Sequence, residues 1–88
     1  MQLSFKARER NRGAASLAEL PAGTEAVIER LELPDGLAAR LMELGFIPGH
    51  RVAAALSAPG GDPRVFRIDG AEIALRRETA RHIFIRNN

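Results

Sequence analysis

The sequence predicts a mainly β fold, a small and partly open barrel with one α-helix inserted between its first and second strands. Three observations predict it. Several short segments repeat apolar residues with a period of two, turn-forming residues separate them, and a single segment carries a helical apolar stripe. In a chain of 88 residues, curling short strands into a barrel hides edges that a flat sheet of this size would expose. One domain is the expectation at this length. Residues 1–15 read as a flexible basic arm and residues 16–88 as the barrel domain.

Leu3 and Phe5 alternate with polar neighbours, the pattern of one short strand. Ser16-Leu17-Ala18-Glu19 has the spacing of a capping box, in which the Ser hydroxyl and the Glu carboxylate each satisfy a free amide at a helix start. Leu20-Pro21-Ala22-Gly23 stops that helix after one turn. Glu25 to Leu31 is rich in branched residues and predicts the first strand. Pro34-Asp35-Gly36 ends it, and Asp35 is placed to cap a helix over Leu37–Leu44. Leu37, Leu41 and Leu44 fall at i, i+4 and i+7, one apolar stripe. Gly45 supplies a left-handed residue just past the helix end, Phe46 is set to fold back on the last turn, and Pro48 forbids continuation.

From Gly49 onward the period is two. Val52, Ala54 and Leu56 share one strand face, and Ala58-Pro59-Gly60-Gly61-Asp62-Pro63 forms a loop. Phe66 and Ile68 line the next strand. Asp69-Gly70 predicts a two-residue hairpin turn into the returning Glu72–Leu75 strand. Arg76 to Arg81 reads as one helical turn, and His82 to Arg86 as the last strand. In that strand Ile83 and Ile85 face one way and Phe84 the other. Val65, Ala53 and Ala55 likewise stand opposite their apolar neighbours. Such strands are either buried on both sides or keep a surface for an interface, and Phe84 is the partner-binding candidate.

Composition closes several function classes. With no Cys, thiolate metal sites, disulfides and cysteine nucleophiles are excluded. Lys6 to Arg12 holds four basic residues and one acid, so +3 of the formal net charge of +2 resides there, and the remaining −1 leaves the barrel nearly neutral. A near-neutral barrel with four Phe and neither Tyr nor Trp lacks the charge footprint and the stacking platforms of a nucleic-acid binder. The start of the chain lacks the apolar core of a signal peptide and no segment reaches the length of a membrane span, so a cytoplasmic location is expected. No Gly-x-Ser-x-Gly elbow surrounds Ser4, Ser16 or Ser57, and an enzyme is not expected. The weak metal candidates are His50, with Glu43 the nearest acid on the preceding helix, and Glu78 with His82, four residues apart. Either would hold iron or zinc only weakly, most easily between two chains.

Taken in order, Leu17-x-x-Leu20-Pro21-x-Gly23, Arg40-Leu41-Met42-Glu43-Leu44-Gly45-Phe46-Ile47-Pro48-Gly49, Ala58 to Pro63, Gly70, Ile73-Ala74-Leu75-Arg76, Ala80 and Ile83 resemble the FeoA family over residues 16–86. The resemblance implies an SH3-like barrel in a small cytoplasmic bacterial protein associated with the FeoB ferrous-iron transporter. It implies an accessory or regulatory partner, not a carrier of the ion. Gly45, Pro48 and Gly49 carry over as shape residues, and Asp62, Pro63 and Gly70 belong to the matched motifs. Leu41 and Leu44 carry over as core, and Arg40 and Glu43 as exposed positions beside the turn, the second set of partner-binding candidates. Residues 1–15 lie outside the match, and Ala53-Ala54-Ala55 is smaller than the branched residues usual there. The function expected is a non-enzymatic module that docks on the cytoplasmic side of a FeoB-type transporter, reaching the membrane only through it. The alternative is a transition-metal-binding sensor or chaperone with a site shared between chains, as in a homo-oligomer.

Overall fold

A computed structural model describes residues 15–86. Five strands alternate with two helices: β1 (Glu25–Leu31), α1 (Asp35–Glu43), β2 (Arg51–Ala54), β3 (Arg64–Ile68), β4 (Ala71–Leu75), α2 (Arg77–Ala80) and β5 (Ile83–Arg86). Single 3-10 turns at Leu17–Glu19 and Pro59–Gly61 precede β1 and β3. The strands form one antiparallel sheet in the order β4-β3-β2-β1-β5. Its two ends are not joined, so the barrel is partly open and carries α1 between its first two strands, as the sequence predicts. The predicted strand at Leu3 and Phe5, and the predicted basic arm up to residue 14, lie outside the described residues.

β1 divides its length between two neighbours. Its first half pairs with β2, from Glu25 opposite Ala53 to Val27 opposite Arg51. Its second half pairs with β5, from Val27 opposite Arg86 to Leu31 opposite Ile83, with a bulge between Ile28 and Arg30. A bulge bends a strand and sharpens its twist, which is how one strand serves both halves of a curled sheet. The β5 edge gains one more partner, because Ser16 bridges Phe84 and the Ile85 N–H donates to the Ala15 carbonyl at 2.9 Å.

The inward faces of the strands meet around Phe46, Phe66, Leu17, Leu20, Ile28, Ile68, Ile83 and Val52, all fully buried. At β3–β4 the turn forms as predicted: Asp69 and Gly70 both have positive φ (51° and 81°), the requirement of a type I′ turn. The end of α1 also forms as predicted. The Gly45 N–H donates to Met42 and the Phe46 N–H to Leu41, both at 3.0 Å, the paired bonds of a Schellman motif. Gly45 has φ 116°, and a Cβ there would come within 3.3 Å of Asp69 Oδ2 and 3.4 Å of Ile68. Only glycine meets both conditions.

Four local expectations are corrected. Ser16 makes no side-chain cap bond, and Glu19 accepts instead from the Ala15 N–H at 2.9 Å, so the reciprocal capping box is not made. Ser16 is committed to the bridge with β5 and is buried there. Asp35 is the first helical residue, with Pro34 at the cap and no side-chain bond. Its carboxylate still suits the positive end of the helix dipole. β2 stops at Ala54, and Leu56 is 83% exposed beyond it. The apolar stripe of α1 is not a core stripe: Leu41 is 3% exposed, but Leu37 is 38% and Leu44 46% exposed, so Leu44 is not a core residue.

Candidate functional site

The turn after α1 is fixed to β1 by its backbone. The Gly49 N–H donates to the Ile28 carbonyl at 2.8 Å, and the Ile28 N–H donates to the His50 carbonyl at 2.9 Å. This clasp carries the His50 ring to the β3–β4 turn, where Nδ1 lies 3.9 Å from Asp69 Oδ2. His50 therefore faces Asp69, not Glu43 as its sequence neighbourhood suggests. Beside this pair, Glu25, Arg51, Ala53, Arg67 and Asp69 line a shallow groove of about 240 Å³. Its charges cancel locally, with Arg51 3.7 Å from Glu25 and Arg67 2.9 Å from Glu72. Exposed pairs of this kind contribute at most about 1 kcal/mol each.

Glu78 lies in α2, which ends at Ala80, so His82 has left the helix that would have aligned it with Glu78. Its backbone is occupied: the His82 N–H donates to Thr79 at 3.0 Å and its carbonyl accepts the Glu32 N–H at 2.9 Å. Among the described residues, no group of three or more His, Asp or Glu side chains converges as a metal ligand set. The structure brings together His50 and Asp69 alone.

Of the partner-binding candidates, Arg40 and Glu43 are exposed on α1 and make no ion pair among the described residues. Arg40 shares a helix stripe with Leu37 and Leu44 at i, i+3 and i+7. Met42 (38% exposed) and Ile47 (37%) extend the apolar surface around the helix end. Phe84 is only half-buried on the outer face of β5, where the Arg30 guanidinium lies 4.4 Å from its ring centroid. Glu32 hydrogen-bonds Arg30 at 2.6 Å and raises its pKa further, so this cation stays charged over the ring.

One residue escaped the sequence reading. Arg64 is 5% exposed, the single buried charged side chain among the described residues. It donates from Nη1 to the carbonyls of Leu17 (2.9 Å) and Ala18 (3.1 Å) and from Nε to Ser57 Oγ (3.4 Å). Burial, and then the nearby charge of Arg77, lower its pKa. The signal was present: Arg64, Phe66 and Ile68 alternate in β3, so the two-residue period turns Arg64 inward with its apolar neighbours.

The FeoA domain model matches residues 15–87 of this chain. A relative in Porphyromonas gingivalis, described as an Fe(2+) transport protein A and Fe(2+) transporter FeoB fusion protein, is 39% identical over 67 residues. That match covers 76% of this chain and 8% of the relative, so this chain corresponds to a small part of that protein. Among solved structures, iron(II) transport protein A from Clostridium thermocellum superposes with TM-score 0.76 at 36% identity, over 82% of this chain and 44% of that one. FeoA from Stenotrophomonas maltophilia, described as an SH3 domain protein and complexed with zinc, gives TM-score 0.68 at 35% identity, over 80% of this chain and 87% of that one. The five-stranded open barrel is accordingly SH3-like, and the chain belongs to the FeoA domain family.

Proposed function

We propose that this protein is a non-enzymatic accessory module of ferrous-iron uptake that docks on the cytoplasmic side of a FeoB-type transporter and regulates it. The observation that carries this reading is the Porphyromonas gingivalis relative, whose description joins both components in one chain. Fusion raises the effective concentration of one partner at the other and is useful only where the two engage. The surface we assign to docking is the outer side of α1, where Arg40 and Glu43 lie among the exposed Leu37, Leu44 and Ile47. Phe84 forms a second, smaller contact. Apolar residues gathered at a helix end with free charges beside them suit an interface centre with a polar rim. The test is capture of the soluble domain of the transporter, alongside iron uptake in cells lacking the protein. Leu44→Asp and Arg40→Glu are expected to weaken capture while leaving the fold intact. Undiminished uptake without the protein would refute the reading.

A second reading, a metal-binding sensor or chaperone, is favoured by the zinc complex of the Stenotrophomonas maltophilia relative and by the His50–Asp69 pair. Two exposed donors do not make a zinc centre, which takes four ligands in a structural site and three in a catalytic one. The residues described fit half a site, and a second copy of the chain would have to supply the rest. Zinc titration followed by light scattering is expected to show one ion per two chains, lost in His50→Ala. A stoichiometric monomeric complex, or an unchanged response in that variant, counts against it.

A further inference from the structure

We infer that Arg64 and Arg77 form a binding site for a small oxyanion of the phosphate type, at the seam between the Leu17–Glu19 turn and the Pro59–Gly61 loop. Two guanidinium groups converge on one acceptor there. Arg64 Nη1 and Arg77 Nη2 each lie 3.1 Å from the Ala18 carbonyl oxygen. Arg77 Nη1 also reaches the Gly61 carbonyl at 3.3 Å. These bonds leave Nη2 of Arg64 and Nε of Arg77 without an acceptor among the described residues. Ser57, whose hydroxyl oxygen accepts from Arg64 Nε, keeps its own hydrogen free to donate.

No carboxylate among the described residues lies within ion-pairing distance of either guanidinium. The acid at the seam, Asp62, directs Oδ1 at the backbone N–H of Arg77 at 3.0 Å. Backbone carbonyls carry partial charge only, so two full positive charges share the Ala18 oxygen with no full negative charge paired to either among the described residues. Their repulsion is one cause of the lowered pKa of Arg64. A tetrahedral oxyanion answers each need at once. It accepts from planar guanidinium forks, supplies the missing negative charge and removes the repulsion. Arg77 is exposed, which leaves the seam open to a ligand from solvent, while the buried Arg64 provides a donor already held in place. The carbonyls of Leu17, Ala18 and Gly61 hold the two cations in place.

Two sources offer this chemistry, free phosphate and the phosphodiester headgroup of an anionic lipid. The experiment titrates the full chain with inorganic phosphate at constant ionic strength, following amide shifts of Ala18 and Gly61. A parallel arm measures co-sedimentation with phosphatidylglycerol vesicles. Arg64→Gln risks the fold, so the decisive variant is the surface change Arg77→Gln, with Arg81→Gln as the control of equal charge. A saturable phosphate response weakened about tenfold by Arg77→Gln and unaltered by Arg81→Gln establishes the site. Vesicle binding with the same dependence establishes it with the lipid headgroup as source. Absence of saturation in both arms, or equal loss in the two variants, overturns it.

Discussion

Arg64 occupies a position in the inward row of β3 that the strand period reserves for an apolar side chain, and it is tolerated because its donors meet fixed carbonyls. A buried charge without such partners would be strongly destabilising. Its loss takes a charged donor from the Leu17 carbonyl, which keeps the Leu20 N–H at 3.3 Å, and from the Ala18 carbonyl, which keeps Arg77 Nη2 at 3.1 Å. Hydrogen bonds of charged groups contribute roughly 1.5–3 kcal/mol. Arg64→Ala is therefore expected to lower unfolding free energy by about 2–4 kcal/mol in urea titration. Phe66→Ala, which opens a cavity two residues away, should cost about 3–5 kcal/mol. An Arg64→Ala variant as stable as the parent would show that the carbonyls find other donors. Phe66 and Ile68 were legible in the sequence as core because period and hydropathy agree there. Arg64 was not, because residue type and period disagree, and the deciding fact is the distant turn at Leu17. No local pattern carries a contact between residues so far apart in the chain.

The end of α1 was fully legible because every signal is local: Gly45 in left-handed geometry, Phe46 folding back, Pro48 beyond. Its burial was not. A stripe at i, i+4 and i+7 shows which residues share a face but not how much of that face meets a neighbour. Here α1 touches the barrel chiefly through Leu41 and the Phe46 that follows it, leaving Leu37 and Leu44 at the margin. Leu41→Ala should accordingly cost about 2–5 kcal/mol. Leu44→Ala should stay within about 0.5 kcal/mol of the parent. The same pair separates folding from docking, because Leu44→Ala is expected to weaken partner capture at unchanged stability. Equal destabilisation by both would return Leu44 to the core and remove it from the proposed docking surface. The Ser16–Glu19 spacing failed for a related reason: Ser16 was already engaged by β5.

Across the whole molecule, every ion pair among the described residues joins half-exposed or exposed side chains, while the core is apolar apart from Ser16 and Arg64. Stability therefore rests on burial and backbone pairing, which salt scarcely screens. Raising sodium chloride to about 0.5 M is expected to shift unfolding free energy by less than about 1 kcal/mol. A larger loss would mean that the surface pairs act as a network. The order of the fold was readable because each hairpin announces itself by its turn. The pairing of β1 with β5 was not, since the two strands lie at opposite ends of the barrel sequence. Nor could the chain reveal that His50 meets Asp69, a contact made only once α1 and the β3–β4 turn are both in place.

The light seating of α1 has a consequence for how such a module changes over generations. Its outer residues can be exchanged with little penalty to the barrel, so on the docking surface we propose, partner preference and foldability are written in separate parts of the chain. On that proposal, a transporter that drifts can be followed by substitutions at Leu37, Arg40 and Leu44 while Leu41, Gly45 and Phe46 stay as they are. The helix is then the variable lettering on a fixed barrel, and swapping that one segment between relatives is expected to carry partner specificity with it.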